Sequence, residues 1–138
     1  RLKMFKVKKI IAAVATVATL AATNVGLSAY SGDFSNATYL GNCKLTFYCP
    51  CSSCSDSWGK QTATGTTAKQ GRTIAVDPDV IPYGSTVYIE GWGYYVAEDC
   101  GGGVNGNHID IYRDSHAVCR KLGVQNAKVY IVEEEWTH

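Results

Sequence analysis

The sequence has no apolar stretch long enough to cross a bilayer as a helix. Its most apolar stretch, Ile10 to Ala22, is about 13 residues long, whereas a spanning helix needs roughly 20. Five cationic residues precede it, and small residues at 28 and 29 offer a cleavage site. This layout predicts a secretory signal peptide over residues 1–29, no stable membrane span after processing, and a secreted, cell-wall or extracellular location. A retained N-terminal anchor is the alternative.

Positive charge is scarce in the rest of the chain. Of the 13 Lys and Arg residues five lie before residue 29, which leaves eight against 12 Asp and Glu residues. The remainder is therefore acidic overall and has no basic stripe, so we exclude a nucleic-acid partner. Its length suits one domain and is too short for two. No feature of the sequence predicts an oligomeric state.

The sequence also has no long helical patterns. It therefore lacks the crossover helices that an α/β sheet requires. After a Ser-, Asn- and Gly-rich lead-in at 30–42, six short runs rich in β-branched and aromatic residues predict strands at 44–48, 73–77, 86–89, 94–99, 108–112 and 128–133. One helix is predicted over 115–122, with Gly123 just past its end. The pattern favours an all-β (mainly β) domain over 43–138, a small six-stranded barrel with one short helix.

Six cysteines make disulfides the favoured interpretation for an exported domain of this size. The candidates are Cys43, Cys49, Cys51, Cys54, Cys100 and Cys119. The crowded run at 49–54 also has the spacing of zinc ligands, but a second ligand pair is not evident from the sequence. Zinc and free thiols therefore stay open as alternatives. A catalytic cysteine paired with His108 or His116 is weakly supported, because such a pair often occurs by coincidence.

Three aspartates, Asp77, Asp99 and Asp110, lie at or near the ends of predicted strands. If Ile109 and Ile111 face the core, strand alternation turns Asp110 to the opposite face, where it can line a groove. The glycines that follow Asp99 leave the backbone open to a ligand. Each aspartate also has a structural explanation: an Asp-Pro turn, satisfaction of loop N–H groups, or an ordinary solvated position.

Several short motifs surround these aspartates in order. They are Ile74-Ala75-Val76-Asp77-Pro78, Val80 to Ser85, Val87-Tyr88-Ile89, Ala97 to Gly102 and Gly106 to Asp110. Together they closely resemble the three-aspartate (3D) domain family, which is similar to the catalytic barrel of membrane-bound lytic transglycosylase A and to the stationary-phase survival proteins. The resemblance implies a double-psi β-barrel. It also implies cleavage of the β-1,4 bond between N-acetylmuramic acid and N-acetylglucosamine in peptidoglycan glycan strands.

The resemblance further implies roles for individual residues. Asp110 would be the general acid and then the general base of a lytic transglycosylase, which gives a 1,6-anhydro product, while Asp99 and Asp77 would assist it. We expect substrate contacts from Tyr48, Thr64, Gly102 and Tyr95. This chemistry requires no metal and no organic cofactor, and we assign neither. The chain departs from the family pattern at Cys100, where a threonine is usual, and at Asn105, where a lysine is common.

Three alternatives remain at this point. Water could replace the sugar's own C6 hydroxyl, which would make the chain a muramidase, a hydrolase of the same bond. A non-catalytic, expansin-like module could bind the wall through aromatic side chains such as Trp92, Tyr94 and Tyr95. A cysteine or zinc enzyme could be built on the run at 49–54. The acidic cluster disfavours the binding module, because binding alone does not need it.

Overall fold

The computed structural model describes residues 36–132 and consists of six strands and two short helices. In chain order these are β1 Ala37–Tyr48, α1 Ser52–Ser55, β2 Thr73–Ala75, β3 Thr86–Ile89, β4 Gly93–Asp99, β5 His108–Tyr112, α2 His116–Leu122 and β6 Gln125–Val132. The strands close into a barrel in the order β1-β5-β2-β4-β3-β6. This closed, six-stranded and mainly β barrel confirms the fold class that the sequence predicted.

Strand alternation fills the inside of the barrel. In β3, Val87 and Ile89 are fully buried, while Thr86 and Tyr88, which alternate with them, are half-buried. In β5, Ile109 and Ile111 are fully buried and Asp110 between them faces the other way, as the alternation predicted. A smaller apolar cluster lies beside the main core and contains Tyr48, Ala68, Ala75, Val104 and Tyr112.

The pairing register sets four residues side by side across neighbouring strands. β1 and β5 run parallel, with Thr46 opposite Asp110. β5 and β2 are antiparallel, with Asp110 opposite Ala75, and β2 pairs in parallel with β4, where Ala75 is opposite Asp99. Two acidic residues from separate strands therefore flank one small side chain.

The ends of the strands differ from the sequence prediction. β1 begins at Ala37, inside the range expected to be a flexible lead-in, because residues from Ala37 onward form an antiparallel ladder with β6. The register shifts between Tyr39 and Gly41, and Gly41 has a φ of 114°. The turn α1 was not expected. The proposed signal peptide at 1–29 lies outside the described residues.

The helix α2 agrees with the prediction to within a residue. Ser115 precedes it, and Gly123 ends it with a φ of 61° while its N–H donates to the carbonyl oxygen of Cys119. A φ in this left-handed region favours glycine, which explains why the helix stops there. Among residues 36–132, no helix is long and apolar enough to span a membrane.

The expected disulfides are not formed. All six cysteines lie within the described residues and all are free. Cys43 and Cys119 are buried in the apolar core, and Cys100 is exposed on the glycine-rich loop. The closed barrel buries a continuous apolar core without covalent cross-links, so the argument that a small exported domain needs them fails here.

Candidate functional site

A groove of about 650 Å³ opens over the four strands β1, β5, β2 and β4. Asp110 and Asp99 both line it, and so does Ala75, which stands between them in the register. Because alanine is small, it leaves space above the sheet where a larger residue would fill the groove. Tyr48 at the end of β1 also lines it. The other lining residues come from the segments that follow β1 and β4, and include Cys54, Trp58, Thr62, Ala63, Gly101 and Gly102.

Asp110 is an acid of the groove whose pKa is raised. Its Oδ1 is buried and has no hydrogen-bond partner within residues 36–132. Burial raises the pKa of Asp110, and it outweighs the opposite effects of a hydrogen bond from Thr46 and of the nearby His108. The charge of Asp99 raises this pKa further. A carboxyl group that keeps its proton beside an open groove can act as a general acid.

Asp99 has the opposite surroundings, since three donors converge on it. Its Oδ2 accepts a 2.8 Å hydrogen bond from the Tyr48 hydroxyl. Its Oδ1 accepts bonds from the backbone N–H of Ala63 at 3.0 Å and of Cys100 at 2.9 Å. These contacts fix the orientation of the carboxylate and the position of the two loops that flank the groove.

Tyr48 is part of this arrangement because its ring is buried while its hydroxyl reaches Asp99. Burial and the charge of Asp99 raise the pKa of Tyr48, so the hydroxyl stays protonated and donates to the carboxylate. Its ring packs edge-on against Tyr112, with centroids 5.4 Å apart. Tyr48 thus lines the groove mainly as a support for Asp99.

A hydrogen-bonded chain backs Asp110. Thr46 Oγ1 lies 2.7 Å from Nε2 of His108, whose Nδ1 lies 3.0 Å from the carbonyl oxygen of Gly103. A carbonyl can only accept, so Nδ1 carries a proton. The Thr46 hydroxyl therefore lies within reach of both Nε2 of His108 and the Asp110 carboxyl. Thr46 was not among the site residues predicted from the sequence.

Asp77 is not among the residues that line the groove. Its Oδ1 accepts from the N–H of Asp79 at 3.0 Å, and its Oδ2 accepts from the N–H of Gly106 at 2.8 Å. These backbone hydrogen bonds, that of Gly106 first, lower the pKa of Asp77. Asp77 therefore ties the loop after β2 to the loop before β5, which carries Asp110.

Of the four residues expected to contact substrate, two line the groove and two do not. Tyr48 and Gly102 line the groove. Thr64 does not line it, although its neighbours Ala63 and Gly65 do, and its hydroxyl donates to the carbonyl oxygen of Glu98 at 2.8 Å. Tyr95 is not brought to the groove, because its side chain is buried in the main core.

Trp58 is a groove residue that the sequence analysis missed. Its side chain is 68% exposed, an unusual state for a large apolar ring, and it lines the groove. Trp92, which we had considered for sugar stacking, instead packs against Phe47 with ring centroids 5.1 Å apart. No local pattern distinguishes the two tryptophans, because Trp58 lies in a loop without periodicity.

A second group of polar side chains lies where β1 ends and α2 begins. Cys49, Cys51, Cys54 and His116 place one potential metal-ligating atom each within 4.8 Å of one another. The sequence indicated zinc-like spacing in the run at 49–54 without an evident second ligand pair, and the structure brings His116 to this run. Among these four, only Cys54 also lines the groove.

Comparison with known families identifies a 3D domain at residues 72–133. The matched range contains Asp77, Asp99 and Asp110, and it confirms the resemblance inferred from the sequence.

Two proteins of Bacillus subtilis (strain 168) are similar to this chain. YabE, named as a cell wall shaping protein, is 40% identical over 85 residues, which cover 59% of this chain and 20% of YabE. YocH, named as a cell wall-binding protein, is 42% identical over 74 residues, which cover 51% of this chain and 26% of YocH. The chain thus matches about a quarter or less of either relative.

Solved structures also resemble the barrel in part. MltA from E. coli superposes with a TM-score of 0.45 at 22% identity, over 53% of this chain and 27% of MltA. MltA with bound chitohexaose gives a TM-score of 0.46 with the same identity and coverage. The lytic transglycosylase LtgG of Burkholderia pseudomallei gives 0.44 at 24% identity, over 51% of this chain and 25% of LtgG.

Proposed function

We propose, from the 3D domain at residues 72–133, that this chain is a secreted cell-wall enzyme. It cleaves the β-1,4 bond between N-acetylmuramic acid and N-acetylglucosamine in peptidoglycan and leaves a 1,6-anhydro product. The observation that carries the proposal is Asp110, a half-buried acid with a raised pKa and an unpartnered oxygen, facing an open groove beside a second carboxylate. The names of the two similar Bacillus proteins, which refer to the cell wall, support the substrate class.

In this mechanism Asp110 acts twice. Its carboxyl proton passes to the glycosidic oxygen as the bond from that oxygen to C1 of the muramic acid breaks, which leaves an oxocarbenium-like centre at C1. The C6 hydroxyl of the same sugar then attacks C1. Its proton returns to the Asp110 carboxylate, so no water is consumed and the acid is restored.

Asp99 supports Asp110 from the neighbouring side of Ala75. Its negative charge raises the pKa of Asp110 and can stabilise the positive charge that develops at C1. Hydrogen bonds from Tyr48 and from two backbone N–H groups fix the orientation of this carboxylate. Asp77 acts at a distance as a positioning residue, because its two oxygens hold loop N–H groups.

The glycan would bind along the groove between the exposed Trp58 ring and the glycine-rich loop at 101–103. A flat aromatic surface suits the apolar face of a pyranose ring. Gly102 has open space where a Cβ would lie, so a sugar can approach its backbone closely.

The test is digestion of purified peptidoglycan followed by mass spectrometry of the released fragments. We expect fragments that end in 1,6-anhydro-muramic acid. Asp110→Asn should lower the rate by a factor of about 100 or more, because an amide cannot deliver the proton. Asp79→Asn makes the same carboxylate-to-amide change at an exposed turn outside the groove and should keep the wild-type rate.

Two other outcomes would redirect the proposal. Ordinary reducing ends would make the chain a muramidase. The absence of fragments from a folded protein that still sediments with peptidoglycan would make it a wall-binding module. The name of YocH, a cell wall-binding protein, favours this as the second candidate. Near-normal cleavage by folded Asp110→Asn would contradict the assigned role of Asp110.

A further inference from the structure

We propose that this chain binds one structural zinc ion through the thiolates of Cys49, Cys51 and Cys54 and through Nδ1 of His116. The site is separate from the glycan chemistry and does not depend on the proposed function. It joins the end of β1, the turn α1 and the start of α2.

The three sulfur–nitrogen distances are close to those of a tetrahedral zinc site. With bonds of about 2.3 Å to sulfur and 2.0–2.1 Å to nitrogen, a tetrahedron places sulfur and nitrogen about 3.5 Å apart. Nδ1 of His116 lies 3.7 Å from the sulfur of Cys49, 3.4 Å from that of Cys51 and 3.4 Å from that of Cys54. The sulfurs of Cys49 and Cys51 are 3.1 Å apart, shorter than the about 3.8 Å that the same bonds give, so zinc binding would move these two sulfurs apart. All four ligand atoms fall within 4.8 Å of one another.

The backbone holds the three cysteines around this point. The N–H groups of Cys54 and Ser55 both donate to the carbonyl oxygen of Cys51, at 3.0 and 2.9 Å, which forms the turn α1. The Ser55 hydroxyl donates to the carbonyl oxygen of Cys49 at 2.7 Å and closes the loop. His116 arrives from a distant part of the sequence as the first residue of α2.

Zinc explains this arrangement better than a disulfide does. A disulfide would join two of the sulfurs and leave the third and the imidazole without a function at the same point. Three thiolates and one imidazole complete the coordination that structural zinc prefers, and leave no open position for substrate or water. Cys49 is buried, Cys51 and Cys54 are half-buried and His116 is exposed, so the site lies at the surface and a metal can enter.

The apolar core anchors the turn α1 only through Cys54, the one residue of α1 that packs against it. None of the four residues of α1 is buried, and no side chain caps the turn. An isolated turn of this length is unstable in water. A metal that ties it to α2 would hold Cys54, Asp56 and Trp58 in place, and all three line the groove.

The experiment is metal analysis of the full chain, purified under reducing conditions and dialysed, together with titration by Co²⁺ as a spectroscopic probe for zinc. We expect about one zinc per chain, and with Co²⁺ the intense thiolate-to-metal charge-transfer absorption of a tetrahedral sulfur-rich site. Cys51→Ser and His116→Ala should lower zinc affinity at least about tenfold. His116→Cys should restore binding, with a cobalt spectrum shifted by the added sulfur.

The matched control is Cys100→Ser, because Cys100 is a free cysteine outside the cluster. This variant should keep the zinc content and the cobalt spectrum of the wild type. Three results would overturn the proposal: no zinc in a folded chain with titratable thiols, a disulfide within 49–54 in the native mass, or wild-type affinity in folded Cys51→Ser. Circular dichroism of each variant establishes that it is folded.

Discussion

At Asp110, the burial that destabilises the charged carboxylate also suits the residue for acid catalysis. Burial without a partner for Oδ1 disfavours its charged form, which raises its pKa in the folded state. Natural proteins often retain such unfavourable groups at functional sites, and replacing them there stabilises the fold while removing activity. The same physical cause therefore makes separate predictions for catalysis and for stability.

The stability prediction concerns Asp110→Asn as a function of pH. The pKa of Asp110 is higher in the folded than in the unfolded protein. Its contribution to the free energy of unfolding is therefore fully present at pH below the unfolded-state pKa, and it is lost as the pH rises through the folded-state pKa. Asparagine does not ionise, so the variant should melt at a higher temperature than the wild type at neutral pH. The difference should vanish in acid. Thermal unfolding followed by circular dichroism across pH measures this, and a variant that is less stable at neutral pH would contradict it.

Trp58→Ala tests the predicted sugar platform. The ring is 68% exposed, so its loss should change the melting temperature little. Loss of stacking should weaken binding to peptidoglycan about tenfold, with a smaller effect on the maximal rate. Binding and cleavage are measured with Tyr83→Ala as the control, an exposed aromatic that does not line the groove. Equal losses in both variants would argue against a specific role for Trp58.

Among the strands, β2 is the shortest and so forms few backbone hydrogen bonds. It is three residues long, yet it lies between β5 and β4 and supplies Ala75 at the bottom of the groove. Side chains support it: buried Glu98 of β4 accepts from Arg72 at 2.7 Å and from the Thr73 hydroxyl at 2.9 Å. The position of Asp99 relative to Asp110 therefore depends on a polar cluster at the start of β2.

Thr73→Val tests that cluster without changing the shape of the side chain. The Thr73 hydroxyl also accepts from the N–H of Lys69 at 2.9 Å, so valine leaves a buried carboxylate oxygen and a backbone donor unpaired. We expect a loss of about 2 kcal/mol in the free energy of unfolding. Denaturant titration measures it, with the exposed Thr67→Val as the control. A loss equal to that of the control would show that the cluster contributes little.

The elements also mark where sequence reasoning succeeded. The runs at 86–89, 94–99 and 108–112 coincide closely with β3, β4 and β5, because alternation and β-branched residues act locally. The start of β1 at Ala37 could not be predicted. Its polar, glycine-containing sequence becomes a strand only because β6 offers a ladder of hydrogen-bonding groups.

At the scale of the whole molecule, two connections of different chemistry join separate segments beside the groove. One is the carboxylate of Asp99, which joins the Tyr48 strand end to the loop at Ala63. The other is the proposed zinc site, which joins β1 to α2. Both converge on the walls of the same groove, since Tyr48, Ala63 and Cys54 all line it.

Removal of zinc should therefore lower the stability of the whole domain. A ligand that binds only the folded state stabilises it by about 2.7 kcal/mol when its free concentration is 100 times the dissociation constant. We expect a chelator to lower the melting temperature of the wild type and of Cys100→Ser, and to lower that of His116→Ala by less. Added zinc should reverse the effect. An equal response of His116→Ala would point to metal bound elsewhere.

The sequence alone determined most of the strands, the short helix, and the three aspartates with their family resemblance, because each depends on neighbouring residues. Tertiary structure decided which acids share a groove. Asp110 and Asp99 meet across Ala75 only through the register of three strands. It also replaced the expected disulfides by a cluster in which His116 joins cysteines more than 60 positions away. Contacts over such separations form when the barrel closes, and no local pattern encodes them.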